Sequence, residues 1–120
     1  MTKEKLIEIA NQYATPAYVF DLEIVKEKID LIRNMLPAHT GLCFAVKANP
    51  FLISAVWKLV DRLEVCSPGE YERCISAQVP PDKIIVSGVN KSYDSMKRIL
   101  SYSHGAGIYT IESKQHYDIL

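Results

Sequence analysis

One unit recurs four times along this chain: a short apolar run, a polar run end, then an amphipathic stretch with helical spacing. The runs are Leu42–Val46, Leu63–Cys66, Lys83–Ser87 and Gly107–Ile111, so they begin about every 20–24 residues. The stretches between them place Ile53, Val56, Trp57 and Val60, then Tyr71, Cys74 and Ile75, then Tyr93, Met96, Ile99 and Leu100, at steps of three and four. Strands at this spacing, alternating with helices, are βα units, and βα units build a parallel sheet. The predicted class is therefore α/β. Four units make half of a (β/α)8 barrel, which takes about 250 residues when complete. A half-barrel leaves its outer strands without neighbours, and such edges invite self-association.

The region before the repeat has a different pattern. Thr2 can cap a helix over residues 3–13 with Leu6, Ile7, Ala10 and Tyr13 on one face. Thr15-Pro16 stops it, and Ala17–Phe20 reads as a short strand. Asp21 caps a second helix carrying Leu22, Val25, Ile29, Ile32 and Leu36, and Pro37 ends it. The expected organisation is residues 1–40 leading into a barrel and residues 41–120 forming its first half.

In a parallel sheet the strand ends share one rim, which is where α/β proteins place their chemistry. Here that rim gathers Lys47, Asn49, Ser67, Glu70, Asn90, Lys91, Glu112 and Ser113. Lys47 follows an inner strand directly, ahead of an Asn49 cap and Pro50 at a first helical position. A partly desolvated lysine there favours its neutral amine and becomes a Schiff-base nucleophile; a surface lysine snorkelling off a strand end is the other account. Ser67-x-x-Glu70 is a capping box, which by itself explains both residues. Ser92 and Ser113 suit N-caps, and Lys91 suits a solvated position. Glu64 lies inside a strand between Leu63 and Val65, where a carboxylate needs a partner or water. Lys47, one strand over, can supply that partner; alternatively Glu64 faces outward and bridges to a helix.

Composition narrows the function classes. Fourteen basic and fourteen acidic side chains cancel, so no field steers the chain toward nucleic acid or an anionic membrane. No apolar run approaches a membrane span, and the N-terminus mixes charges among its apolar residues, unlike a signal peptide. Three cysteines without C-x-x-C spacing argue for buried reduced thiols in a cytoplasmic protein. His39, His104 and His116 lack ligand spacing and read as surface or capping residues, so no metal site is expected. No G-x-G-x-x-G, Walker A or G-x-S-x-G motif occurs, and Gly105 and Gly107 read as a turn.

Three segments together carry a family resemblance: Thr15-Pro16-Ala17-Tyr18-Val19-Phe20-Asp21, Phe44-Ala45-Val46-Lys47-Ala48-Asn49-Pro50 and Glu64-Val65-Cys66-Ser67-Pro68-Gly69-Glu70. They resemble the N-terminal half of the barrel-type (fold-type III) pyridoxal-phosphate decarboxylases, the group of the diaminopimelate, ornithine and arginine decarboxylases. Ser87–Ser92 and Tyr109–Ser113 are similar to that group's third and fourth strand ends. The related alanine racemases carry a Lys-Ala pair followed by Asp-Ala-Tyr-Gly; Asn49-Pro50-Phe51 here favours the decarboxylase branch.

The resemblance implies a partial (β/α)8 TIM barrel of about four βα units, preceded by two helices and a short strand. It implies pyridoxal 5'-phosphate as cofactor, bound through Lys47 as an internal aldimine, with Glu64 and Glu70 near the lysine as acids able to receive its ammonium. Where this chain has Glu64, relatives often carry Asp. A small-molecule amino-acid substrate is implied, in the cytoplasm, with a homodimer as the full-length family's assembly. The family's stacking histidine, phosphate loop, pyridine-nitrogen acid, partner cysteine and C-terminal β-domain fall beyond Leu120, so the expectation is an N-terminal portion, inactive alone. A free-standing half-barrel acting as a weak cofactor-binding or interaction module, and a racemase-like member of the same fold, are the alternatives.

Overall fold

The computed structural model describes residues 1–89 and 91–120; Asn90, counted above among the rim residues, lies outside the described residues. Four strands form one parallel sheet in the order β1-β2-β3-β4: Cys43–Ala45, Arg62–Val65, Ile84–Val86 and Ile108–Tyr109. Each ends before its apolar run does, because the run's last residues turn off the sheet to begin the rim. The helices are α1 (Lys3–Gln12), α2 (Leu22–Met35), α3 (Ile53–Val56), α4 (Pro68–Ser76), α5 (Tyr93–Ser103) and α6 (Lys114–Ile119). Strand order equal to chain order is the barrel pattern; a doubly wound sheet reverses order at a switch point.

Strand periodicity decides the two faces of the sheet. Leu63, Val65, Ile84 and Val86 are buried and pack with Val56, Tyr71, Cys74, Met96 and Ile99 from the helices. The register pairs Ala45 with Glu64, Glu64 with Ile85, and Ile85 with Ile108. These residues, with Cys43, form the opposite face, which no described helix covers, and none of them is buried.

Caps form where the sequence places them. Thr2, Asp21, Ser67, Ser92 and Ser113 each accept a backbone N–H in the first turn of α1, α2, α4, α5 and α6. After α5 the chain reverses through His104, Gly105, Ala106 and Gly107. Gly107, at φ +100°, is forced: a Cβ there would lie 2.8 Å from both the Ile84 and the Pro81 carbonyl oxygens.

The N-terminal segment departs from expectation. Ala17–Phe20 is not a strand: it pairs with none of the sheet's strands, and Tyr18 is 89% exposed. An extended run without a neighbouring strand has no ladder to join. Helix α1 forms as the spacing predicts, yet buries no residue. Its Leu6, Ile9, Ala10 and Tyr13 line only a shallow apolar groove of about 170 Å³ with Thr15, Ala17 and Val19. The radius of gyration, 17.2 Å, accordingly exceeds the about 14 Å of a compact chain this long. No helix among the described residues is long and apolar enough to cross a membrane.

Candidate active site

The rim is built from the residue after β1 onward. Val46 is fully buried, and the backbone tightens over Val46–Ala48 into a 3-10 turn closed by the Asn49 N–H on the Val46 carbonyl (3.1 Å). Anchoring Val46 inward turns Lys47 out. Asn49 accepts the Phe51 N–H and starts a second 3-10 turn, Pro50–Leu52, that runs into α3. Lys47 borders a cleft of about 340 Å³ shared with Pro50, Ser67, Gly69, Glu70 and Arg73. Among the described residues its ammonium is in no ion pair. The expected desolvation is not seen: Lys47 is exposed.

Glu70 fulfils the capping expectation and more. Its N–H is accepted by Ser67 Oγ (3.2 Å), and its carboxylate accepts the Cys66 N–H (2.8 Å), one residue earlier than a regular capping box reaches. Its side chain also lines the Lys47 cleft. The acid is thus anchored to backbone while facing the lysine's side of the rim.

Glu64 has a different partner from the one expected. The register sets it opposite Ala45, two residues short of Lys47. Ser87, just past β3, donates its hydroxyl to Glu64 Oε1 (2.5 Å), and Cys66 Sγ lies 3.4 Å from the same hydroxyl. Sequence reasoning missed Ser87. Strand parity could have found it, since Ser87 follows Ile85 by two and so shares the face of Glu64.

A second polar cluster closes the rim between β3 and β4. Lys91, expected to be solvated, is 6% exposed. It donates to the Gly88 carbonyl (2.6 Å) and Thr110 Oγ1 (3.2 Å), and pairs with Glu112 (3.7 Å). Glu112 accepts the Thr110 hydroxyl (2.7 Å) and the Gly88 N–H (3.2 Å). The Thr110 hydroxyl, with Lys91 and the Gly88 amide adding to it, holds the Glu112 carboxyl below its usual range. His116 is buried rather than on the surface. Its Nδ1 accepts the Glu112 N–H (3.2 Å), which leaves Nε2 protonated to donate to the Val89 carbonyl (3.0 Å). Thr110 and His116 were not among the residues singled out from sequence.

The thiols divide by burial. Cys74 is buried and its pKa is pushed up to about 11, by loss of water first and by Glu70 second. Cys66 is half-buried. Cys43 is exposed, against the expectation of a buried thiol, because it sits on the uncovered face.

Comparison with known proteins agrees with this fold. Residues 22–120 match the family model described as pyridoxal-dependent decarboxylase, pyridoxal binding domain. The chain is 36% identical over 121 residues to a diaminopimelate decarboxylase of Zymomonas mobilis, covering 96% of this chain and 28% of that one. A crystal structure of a protein from Aquifex aeolicus superposes with a TM-score of 0.80 at 29% identity, over 96% of this chain and 29% of that one. The lysine/ornithine decarboxylase of Vibrio vulnificus, crystallised with putrescine, shares the fold with a TM-score of 0.83 at 21% identity, over 99% of this chain and 33% of that one. The chain therefore spans about a third or less of the length of these proteins.

Proposed function

We propose, from the premise that this chain belongs to the family of pyridoxal-binding domains of the pyridoxal-dependent decarboxylases, that Lys47 is its cofactor lysine and Glu64 and Glu70 are the acids serving it. The observation that carries this reading is an unpaired, exposed amine on a cleft it shares with an anchored carboxylate. That donor set fits the aldehyde end of pyridoxal 5'-phosphate: a primary amine free to attack the aldehyde carbon, with the Glu70 carboxylate on the same cleft to hold its proton. When bound, the cofactor supplies an electron sink for the carbanion left by loss of a carboxylate.

Each residue has a separate task in this reading. Lys47 holds the cofactor and yields it to an incoming amino acid. Glu70, kept in place by the Cys66 amide, receives the lysine's proton when the amine is released. Glu64, with one oxygen bonded to Ser87, is the second acid in this reading. We assign residues 41–120 to the first half of the barrel. The substrate class is a free amino acid of the diaminopimelate or ornithine type, after the relatives' names. By this reading the chain alone attaches cofactor without turning substrate over.

The test is to add pyridoxal 5'-phosphate to the chain, reduce with borohydride, and locate the label by peptide mass spectrometry. Lys47 should carry it, and Lys47→Ala should reduce labelling to the level of the other surface lysines. Labelling spread evenly over the lysines would overturn the assignment, and carbon dioxide released from diaminopimelate by the chain alone would overturn its incompleteness. A second reading, an interaction module, draws support from the exposed Tyr18, Phe51 and Ile108 and from the outer edges of β1 and β4. On that reading a second copy pairs there, as a dimer would require.

A further inference from the structure

We infer that Lys91 is a positioning residue: with Glu112 it holds Gly88 by the peptide groups on its two sides, and so fixes Ser87 where its hydroxyl meets Glu64. The inference rests on the function proposed above, because Glu64 matters only if it serves Lys47.

Gly88 is the pivot. It follows Ser87 directly, at φ +88°, and packs so tightly that a Cβ would lie 3.1 Å from Cys66 Cβ. Its N–H goes to Glu112 (3.2 Å) and its carbonyl to Lys91 (2.6 Å). Ser87 is held on the other side by its own N–H on the Val65 carbonyl (2.9 Å). With both neighbouring peptides fixed, the Ser87 hydroxyl has little freedom except toward Glu64 Oε1 and Cys66 Sγ.

A buried ammonium is a demanding way to bond one carbonyl, and a simple packing role does not require it. Its side chain is 3% exposed, and two of its three contacts, to Thr110 and Glu112, join the loop after β3 to the loop after β4, while the third ties it to Gly88 within its own loop. Thr110 completes the join, its N–H on the Val86 carbonyl (3.0 Å) and its hydroxyl on Glu112. The chain of action runs from Lys91 through Gly88 to Ser87 and then to Glu64, with no contact between Lys91 and the cofactor lysine.

The experiment is a double-mutant cycle on the full 120-residue chain, read as the equilibrium constant for attachment of pyridoxal 5'-phosphate at Lys47. Attachment is followed by absorbance, with Lys47→Ala subtracted as background. Lys91→Met keeps the side chain's apolar stem and removes its charge and donors. It should weaken attachment about threefold to tenfold, and Lys91→Arg should recover part of the loss. Ser87→Ala should weaken attachment by a similar factor, and Ser87→Ala/Lys91→Met by no more than the larger single change. Far-UV circular dichroism and the melting midpoint report folding. If Lys91→Met does not fold, Thr110→Val tests the same join from the β4 side, with the same predicted coupling to Ser87→Ala. Effects that multiply, or a Lys91→Met variant that attaches cofactor like the wild type, would overturn the inference while leaving the proposed function intact. A wild-type chain with no Lys47-dependent attachment would instead overturn the function on which the inference stands.

Discussion

Two glycines a residue apart allow the turn before β4 to be tested quantitatively. Gly105 and Gly107 both have positive φ, +83° and +100°, but nothing lies within 4 Å of a Cβ built on Gly105, whereas one on Gly107 meets two backbone oxygens at 2.8 Å. Gly105→Ala therefore isolates the backbone term. An L-residue in the left-handed region costs about 1–2 kcal/mol, and alanine recovers about 0.4–1 kcal/mol by stiffening the unfolded chain, so the net loss is about 1 kcal/mol. Gly107→Ala carries that loss at a less favourable φ and adds the collision. Its obstacles are the carbonyls of Pro81 and Ile84, at the start of β3, so they move only by straining the sheet. Overpacking of this kind costs about 1–3 kcal/mol, giving a total of about 3 kcal/mol. At about 4 °C per kcal/mol the melting midpoints should fall by about 4 °C and about 12 °C respectively. Urea unfolding followed by far-UV circular dichroism checks the free energies. Variants equal within about 0.5 kcal/mol at unchanged m would refute the claim that this turn packs against the start of β3.

The other expectations concern titration and thiols. Asp61 is held below its usual pKa by the Leu42 N–H first and Arg33 second. A depressed folded-state pKa contributes stability that is present above the unfolded value, 3.8, and is lost as pH falls through the folded value. Asp61→Asn should therefore flatten the fall in melting midpoint below about pH 4, modestly and less at high salt, because the side chain is half exposed. With the thiol reagent DTNB at pH 8, Cys43 should react in the folded chain, slowed because partial loss of water and Glu64 hold its thiol above the usual pKa, and Cys74 only after denaturant is added, since burial both shields Cys74 and keeps it protonated. Prompt reaction of all three thiols in the folded chain would contradict the burial of α4 against the sheet.

The fold was legible where one physical signal acted alone. Apolar residues at helical steps and a serine, threonine or aspartate before them located the starts of α1, α2, α4 and α5, and the turn after α5 followed from its glycines. Ala17–Phe20 misled because β-propensity records fitness for a pleated surface, and no partner strand lies beside this segment. The site was legible in part, for a related reason. Lys47, Glu64 and Glu70 stand out as charged residues at or near strand ends. Their partners do not, because pairing depends on register: Ser87 reaches Glu64 diagonally across two strands, and Lys91 reaches Thr110 across nineteen residues of chain. The sequence offers no reason to bury Lys91 until Gly88, Thr110 and Glu112 are brought around it.

That distribution of partners bears on how Lys47 can work. In the role proposed for it, a lysine that is tied up by cofactor for part of each cycle cannot also be the group on which the nearby acids depend, since each attachment would leave a carboxylate without its ammonium. Here neither acid depends on it: Glu70 has the Cys66 amide and Glu64 has the Ser87 hydroxyl. Nor does Lys47 fill the core, because buried Val46 anchors the turn and Lys47 itself is exposed. Lys47→Ala should therefore unfold within about 0.5 kcal/mol of the wild type, the scatter of ordinary surface substitutions. Ser87→Ala, which strips Glu64 of its donor, should lose about 1 kcal/mol. Urea denaturation of the three proteins side by side decides the matter. If Lys47→Ala proves the less stable of the two variants, the amine is holding the rim together, and a residue with that duty is poorly suited to being displaced in every catalytic cycle.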